Sequence, residues 1–232
     1  MSNRVYLYCT NFRAMPTAGE SDAFFKQCGV EYEAAARIPI FWLLLFGSSD
    51  VRLAEVDYGD GDAEQESDNE DRYEDLPRHY AYLLCDRASG VERLQSRSHL
   101  MKTALDDDQF ALYEDWVARI ATEPYANILV STEELDCMGE AGQLEAQLRS
   151  ALHLLEQADI DGMLEINEAI DDLTGIRSDD LHAYESFELV GGANSSPSWP
   201  APFAPRHRLP AATVAPRVTS VAPSKPWWAF WR

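Results

Sequence analysis

Runs of β-forming residues and stretches of helical spacing divide the first 190 residues. Arg4-Val5-Tyr6-Leu7-Tyr8-Cys9-Thr10 is rich in β-formers and predicts an opening strand. Ser21-Asp22 can cap a short helix through Phe24, Phe25 and Cys28, which Gly29 stops. Ile38-Pro39-Ile40-Phe41-Trp42-Leu43-Leu44-Leu45-Phe46 is the most apolar stretch. Pro39 suits the first turn of a helix over 39–46, where its missing N–H has no partner to lose, and Gly47 is a natural stop. A buried strand is the rival reading, because periodicity does not separate the two for so short a run.

Val51 to Tyr58 is a weaker strand candidate, and Tyr80 to Cys85 reads as a second core strand. Val91 to Leu105 is mixed and reads as helical. Asp106 to Asp108 can cap a helix that puts Phe110, Tyr113, Trp116 or Val117, and Ile120 on one face, with Pro124 at its end. Ala126 to Ser131 is a strand. The clearest helix runs from Glu140 to Ala158, with Leu144, Leu148, Leu152 and Leu155 on one stripe and Glu145 one turn before Arg149. Beyond it, Met163, Leu164, Ile166, Ile170 and Leu173 keep helical spacing, and Tyr184 to Val190 is expected to close the sheet before Gly191-Gly192 ends the ordered part. The expected fold is α+β, a small central sheet covered by several helices, with a disordered C-terminal tail.

Charge divides the chain more sharply than hydropathy does. The 232 residues carry a formal charge of −21, but no Asp or Glu follows Val190, and Arg206, Arg208, Arg217, Lys225 and Arg232 are basic. Residues 1–190 therefore hold −26. Such a body repels nucleic acid and anionic lipid, and steers in a basic protein partner.

Much of that charge lies in residues 57–75, which contain ten carboxylates and one Arg. Among them are Asp60, Asp62, Glu64, Glu66, Asp68, Glu70 and Asp71, the candidate partner-binding residues of the acidic body. Repulsion at this density predicts an exposed mobile loop. Its Asp-x-Asp spacing invites a calcium reading, but an EF-hand loop opening at Asp60 would need glycine where Gln65 stands. Glu165 with Glu168, and Glu168 with Asp172, share helix faces, yet no His takes the Glu-x-x-His position of di-iron bundles. No metal or other cofactor is expected, and these acids read as a solvated face.

Residues 191–224 are expected to form a Pro-rich, basic linker, and 225–232 a separate element. Lys225-Pro226-Trp227-Trp228-Ala229-Phe230-Trp231-Arg232 sets four large aromatics between cations. Trp and Arg dominate binding hot spots, so Trp227, Trp228, Phe230, Trp231 and Arg232 are the second set of candidate partner-binding residues. The peptide can dock on another protein, fold back on the acidic domain, or sit at a membrane interface. The last is the least favoured, because a few cations and one aromatic cluster bind lipid weakly.

The Arg4–Tyr8 strand and the Ile38–Phe46 segment resemble an uncharacterised family of small acidic bacterial proteins, and that resemblance implies no activity. Small acidic proteins of this kind include immunity proteins of bacterial toxin systems, a likeness of size and charge alone. Cys9, Cys28, Cys85 and Cys137 are widely spaced and read as reduced thiols; pairing of one with His79, His99, His153 or His182 has no local signature. The N-terminus does not read as a signal peptide, and the nine-residue apolar run is far short of the roughly 20 that span a bilayer, so the expected compartment is the cytoplasm. The expected function is non-enzymatic: binding, neutralising or escorting a basic partner. The alternatives are an adaptor that docks through its Trp-rich peptide and a metal-dependent hydrolase.

Overall fold

The computed structural model describes residues 3–56, 79–157 and 168–193. Six strands form one antiparallel sheet in the order β3-β4-β5-β1-β2-β6. They are β1 (Arg4–Thr10), β2 (Cys28–Ala35), β3 (Val51–Glu55), β4 (His79–Asp86), β5 (Asn127–Ser131) and β6 (Gly192–Ala193). The helices are α1 (Ser21–Lys26), α2 (Ile40–Leu43), α3 (Arg87–Ser96), α4 (Ser98–Ala104), α5 (Asp107–Thr122), α6 (Glu133–Asp136), α7 (Gln143–Gln157), α8 (Glu168–Thr174) and α9 (Ser186–Val190). This is the α+β architecture expected, a central sheet covered by helices.

Both faces of the sheet are covered. Val5, Leu7 and Cys9 of β1 join the main core with Tyr32 of β2, Leu83 of β4 and Val130 of β5. Tyr6 and Tyr8 point the other way, into a second layer with Tyr80, Tyr82, Leu129 and Phe24 of α1. Tyr8 meets Phe24 edge to face at 5.1 Å between ring centroids. Burial on both sides explains why β1 and β4 are apolar throughout instead of alternating with polar residues.

The apolar run became the centre of the main core. Ile38 and every residue from Ile40 to Phe46 are fully buried. The helix covers only Ile40–Leu43, with Pro39 as its N-cap, and tightens through Leu45 N–H to Trp42 O at 3.0 Å and Phe46 N–H to Leu43 O at 3.1 Å. So short a turn leaves the carbonyls of Phe41, Leu44, Leu45 and Phe46 without a backbone donor among the described residues. Side chains from elsewhere supply them. Trp116 Nε1 donates to Phe41 O at 3.2 Å. Arg97 Nη1 donates to Leu44 O at 2.8 Å and to Phe46 O at 2.9 Å. Arg93 Nη1 donates to Leu45 O at 3.1 Å while pairing with Asp50 at 2.8 Å.

The capped helices follow their sequence signals. Asp106 and Gln109 form a capping box at the start of α5, whose buried face is Gln109, Leu112, Tyr113, Trp116 and Ile120. Phe110 and Val117, expected on that face, are half-buried at its margin. Gln109 is buried because its amide donates to Leu181 O and Tyr184 O, both at 3.0 Å. In α7, Leu144, Leu148, Leu152 and Leu155 face the core, Glu145 pairs with Arg149 at 2.9 Å, and His153 is exposed.

Two expectations are corrected. Helix α1 ends at Lys26, and Cys28–Ala35 is a strand, signalled by the alternation of Glu31 and Glu33 with Tyr32 and Ala34. Val91–Leu105 is helical as expected, in two helices split at Arg97, which turns into the core. Residues 186–190 form helix α9, and the sheet is closed instead by Gly192–Ala193, paired with Glu33 and Tyr32. Gly191 makes that turn at φ +72°, and a Cβ there would lie 2.7 Å from the Trp42 ring.

Arg97→Met should keep the packing and strip two core carbonyls of their donors. The expected loss is about 2–4 kcal/mol of unfolding free energy. Urea titration would show it as a lower midpoint at unchanged slope. A wild-type midpoint would mean the carbonyls of Leu44 and Phe46 do not depend on Arg97.

Candidate functional site

The site is built where the sheet ladder runs out. β4 and β5 pair from Asp86↔Asn127 to Leu83↔Val130, and β5 then stops at Ser131. Ala81, further along β4, would be left with a bare N–H and C=O on that side. The turn into α6 fills the gap. Thr132 Oγ1 donates to Ala81 O, and Asp136 Oδ2 accepts from Ala81 N at 2.9 Å. On the other flank, Glu134 Oε2 accepts from Arg4 N at 2.7 Å, at the start of β1. The Glu-Glu-Leu-Asp helix is thus fastened across the sheet end by two of its own carboxylates.

The same end gathers further charge. Glu55 pairs with His79 across β3 and β4, so the segment 57–78 leaves and rejoins the sheet at this end. Glu33, two residues before the end of β2, pairs with Arg4. Edge strand β3 exposes Arg52, Leu53 (51%) and Glu55.

Beside α6 lies an open cavity of about 210 Å³, between α6, the start of α7 and α8. Leu135, Leu144 and Leu173 give it apolar walls, and Asp136, Gln143, Gln147 and Asp172 bring polar groups to it. Asp136 is only 7% exposed. Burial raises its carboxyl above the ordinary range; the Ala81 N–H opposes this and nearby Glu145 adds to it.

At the opposite end, Glu123 is raised by burial beside Arg119 and Arg87. Arg87 also closes α5 by donating to Ala121 O at 2.6 Å and Tyr125 O at 2.9 Å. The thiols are free, and burial pushes Cys28 up to about 12 and Cys9 well above its ordinary value. Such groups stay protonated at neutral pH and are poor nucleophiles. Cys9 and Cys85 are buried, Cys28 is half-buried and Cys137 exposed, and His79, His99, His153 and His182 are exposed.

Both predicted site sets lie outside the described residues: Asp60, Asp62, Glu64, Glu66, Asp68, Glu70 and Asp71 in one, Trp227, Trp228, Phe230, Trp231 and Arg232 in the other. So does Glu165 of the carboxylate pairs, and Asp172 reappears at the cavity. Sequence reasoning missed Thr132 and Asp136. A signal was present: a hydroxyl residue followed by acids, directly after a strand, marks a helix start.

No family model, curated protein or solved structure matches the chain. Among the described residues, no group of His, Cys, Asp and Glu is arranged to hold a metal, and no helix is long and apolar enough to cross a membrane.

Asp136 gives a pH prediction. Its folded pKa lies above its unfolded one, so its contribution is complete below the ordinary carboxylate range and is lost as pH rises through the folded value. Asp136→Asn keeps an oxygen for Ala81 N–H and removes that titration. The wild-type unfolding free energy should therefore fall relative to the variant's as pH rises from acid to neutral. A constant difference across that range would contradict the assignment.

Proposed function

We propose that this chain is a non-enzymatic binding protein that engages a basic protein partner through the acidic end of its domain. One observation carries the reading. The Glu55↔His79 pairing roots the ten-carboxylate segment beside the sheet-end acids Glu33, Glu133 and Glu134. The segment therefore joins the folded body beside these carboxylates. Close like charges cost energy when left alone, and a basic surface removes that cost while it gains attraction of its own. Neutralisation or escort of such a partner follows from covering its cationic site, as an immunity-like protein would do. The −26 body disfavours nucleic acid in the same role. Four free thiols suit a reducing compartment, and we place the protein in the cytoplasm on that ground.

An oligoarginine peptide titrated into the full chain should bind at low ionic strength. Affinity should fall by at least about tenfold as salt rises several-fold, because contacts between exposed charges are screened. Replacing Asp60, Asp62, Glu64, Glu66, Asp68, Glu70 and Asp71 by their amides should slow association more than it speeds dissociation. Absent binding at low salt, or binding indifferent to salt, would sink the reading.

A further inference from the structure

The two faces of the sheet are covered unequally. Helices α2 to α5 and α7 to α9 all add side chains to the main core on one face. On the other, Tyr6, Tyr8, Leu129, Tyr80 and Tyr82 form an apolar stripe across β1, β5 and β4. Among the described residues, the apolar side chains laid over it from outside the sheet are Phe12, Met15 and Phe24, with the more exposed Phe25 in ring contact with Tyr8. Phe24 meets Tyr8 and Phe12 edge to face, the Met15 N–H donates to Tyr82 Oη at 3.3 Å, and Asn127 Nδ2 fastens Phe12 O at 2.9 Å. This cover gathers at the Thr10–Asn127 end. Toward the other end, Tyr6, stacked on Tyr8, and Tyr80 are each only 6% exposed. Four tyrosines buried to that depth call for a fuller second layer than these few side chains make.

Carboxylates frame the stripe and select what covers it. Glu33 stands opposite Tyr6, and Glu31 opposite Tyr8, and partners across an antiparallel ladder share a face. Burial, followed by Glu133, raises the Tyr80 hydroxyl, and burial, followed by Glu134, raises that of Tyr6, so α6 brings two more acids to this end. Arg4 pairs with Glu33, and Arg52 lies opposite Tyr82 at the far edge. Such a frame disfavours the ten-carboxylate segment 57–75 as a cover and suits the C-terminus, which has no Asp or Glu after Val190 and carries five cations. The C-terminus also leaves from the right place, since Ala193 pairs with Tyr32, between Glu31 and Glu33. Residues 194–226 separate Ala193 from Trp227, and a coil of that length reaches roughly 30 Å r.m.s.. From β6 to β4 is four strand spacings, about 19 Å.

We propose that the chain's own C-terminal peptide completes this second layer, with Trp227, Trp228, Phe230 and Trp231 over the Tyr6–Tyr80 end of the stripe and Lys225 and Arg232 toward Glu31, Glu33, Glu133 and Glu134. Aromatic pairs gain from edge-to-face and offset contact beyond the area they bury, and a cation over a tyrosine ring is attracted to its face. The peptide is then an internal ligand of the acidic end. A basic partner that engages the same end has to displace it, a consequence that rests on the partner reading; the docking itself does not.

The test puts the photo-cross-linker p-benzoylphenylalanine in place of Phe230 in the full chain, and maps the products by mass spectrometry. Cross-links should fall within one chain, on the peptides that hold Tyr6 and Tyr8 or Tyr80 and Tyr82. Mixing with an isotopically heavy copy separates them from links between chains. Replacing Trp227, Trp228, Phe230 and Trp231 together by serine should lower the melting temperature of the full chain by on the order of 4 °C, because the layer loses its cover. Cross-links on the helical layer, on residues 57–78 or on the heavy copy, no cross-links at all, or an unchanged melting temperature would overturn the docking. If that happens while oligoarginine binds with salt sensitivity, the docking fails and the partner reading stands. If the cross-links fall on the stripe and the serine variant still ignores oligoarginine at low salt, the partner reading fails and the docking stands.

Discussion

The fold depends on burying one uninterrupted apolar segment whose backbone cannot satisfy itself. Ile38 to Phe46 fills the middle of the main core, and its aromatic side chains remove on the order of 150–250 Å² each from water. The helix it forms is one turn long, so burial would strand the carbonyls of Phe41, Leu44, Leu45 and Phe46. Arg93, Arg97 and Trp116 answer that demand from α3, the α3–α4 junction and α5. Arg97 is 6% exposed, and burial, with Arg93 beside it, pushes its pKa down to about 10, so it still carries its charge at neutral pH. A cation at the carbonyl end of a helix also meets the dipole favourably. These bonds tie the helical layer to the central segment, and the sheet packs against the other side of that segment.

A second unsatisfied backbone shapes the acidic end. β5 is shorter than β4, and α6 completes the ladder with a hydroxyl and a carboxylate in place of a strand. The choice has an electrostatic consequence. Strand replacement by Asp136 and Glu134 fixes negative charge at the sheet end where the acidic segment is rooted. The opposite end uses cations for similar work, with Arg87 closing the carbonyl end of α5 and Glu123 held beside it.

Much of this organisation was legible in the residues. The β-forming run of β1, the capping box of α5 and the Leu stripe of α7 are local patterns with local causes, and they appear where the sequence puts them. β2 was missed because Gly29 reads as a helix stop, although the alternation of Glu31, Tyr32, Glu33 and Ala34 was there. The sequence of α9 suits a strand as well as a helix, because five residues with two apolar at the end fit either element. The Glu185–Glu188 capping box that decides for helix is an acid–acid pair outside the usual hydroxyl signature.

The sequence by itself determined the charge division, the apolar centre and the spacing of the long helices, because each is a property of neighbours along the chain. Tertiary structure alone decided which side chains meet Ala81, which carbonyls Arg97 serves, and that Asp136 and Asp172, 36 positions apart, share a cavity. Those contacts join residues remote in sequence. They arise from backbone groups that a short helix and a short strand leave unpaired, a deficit that exists only once the elements are packed together.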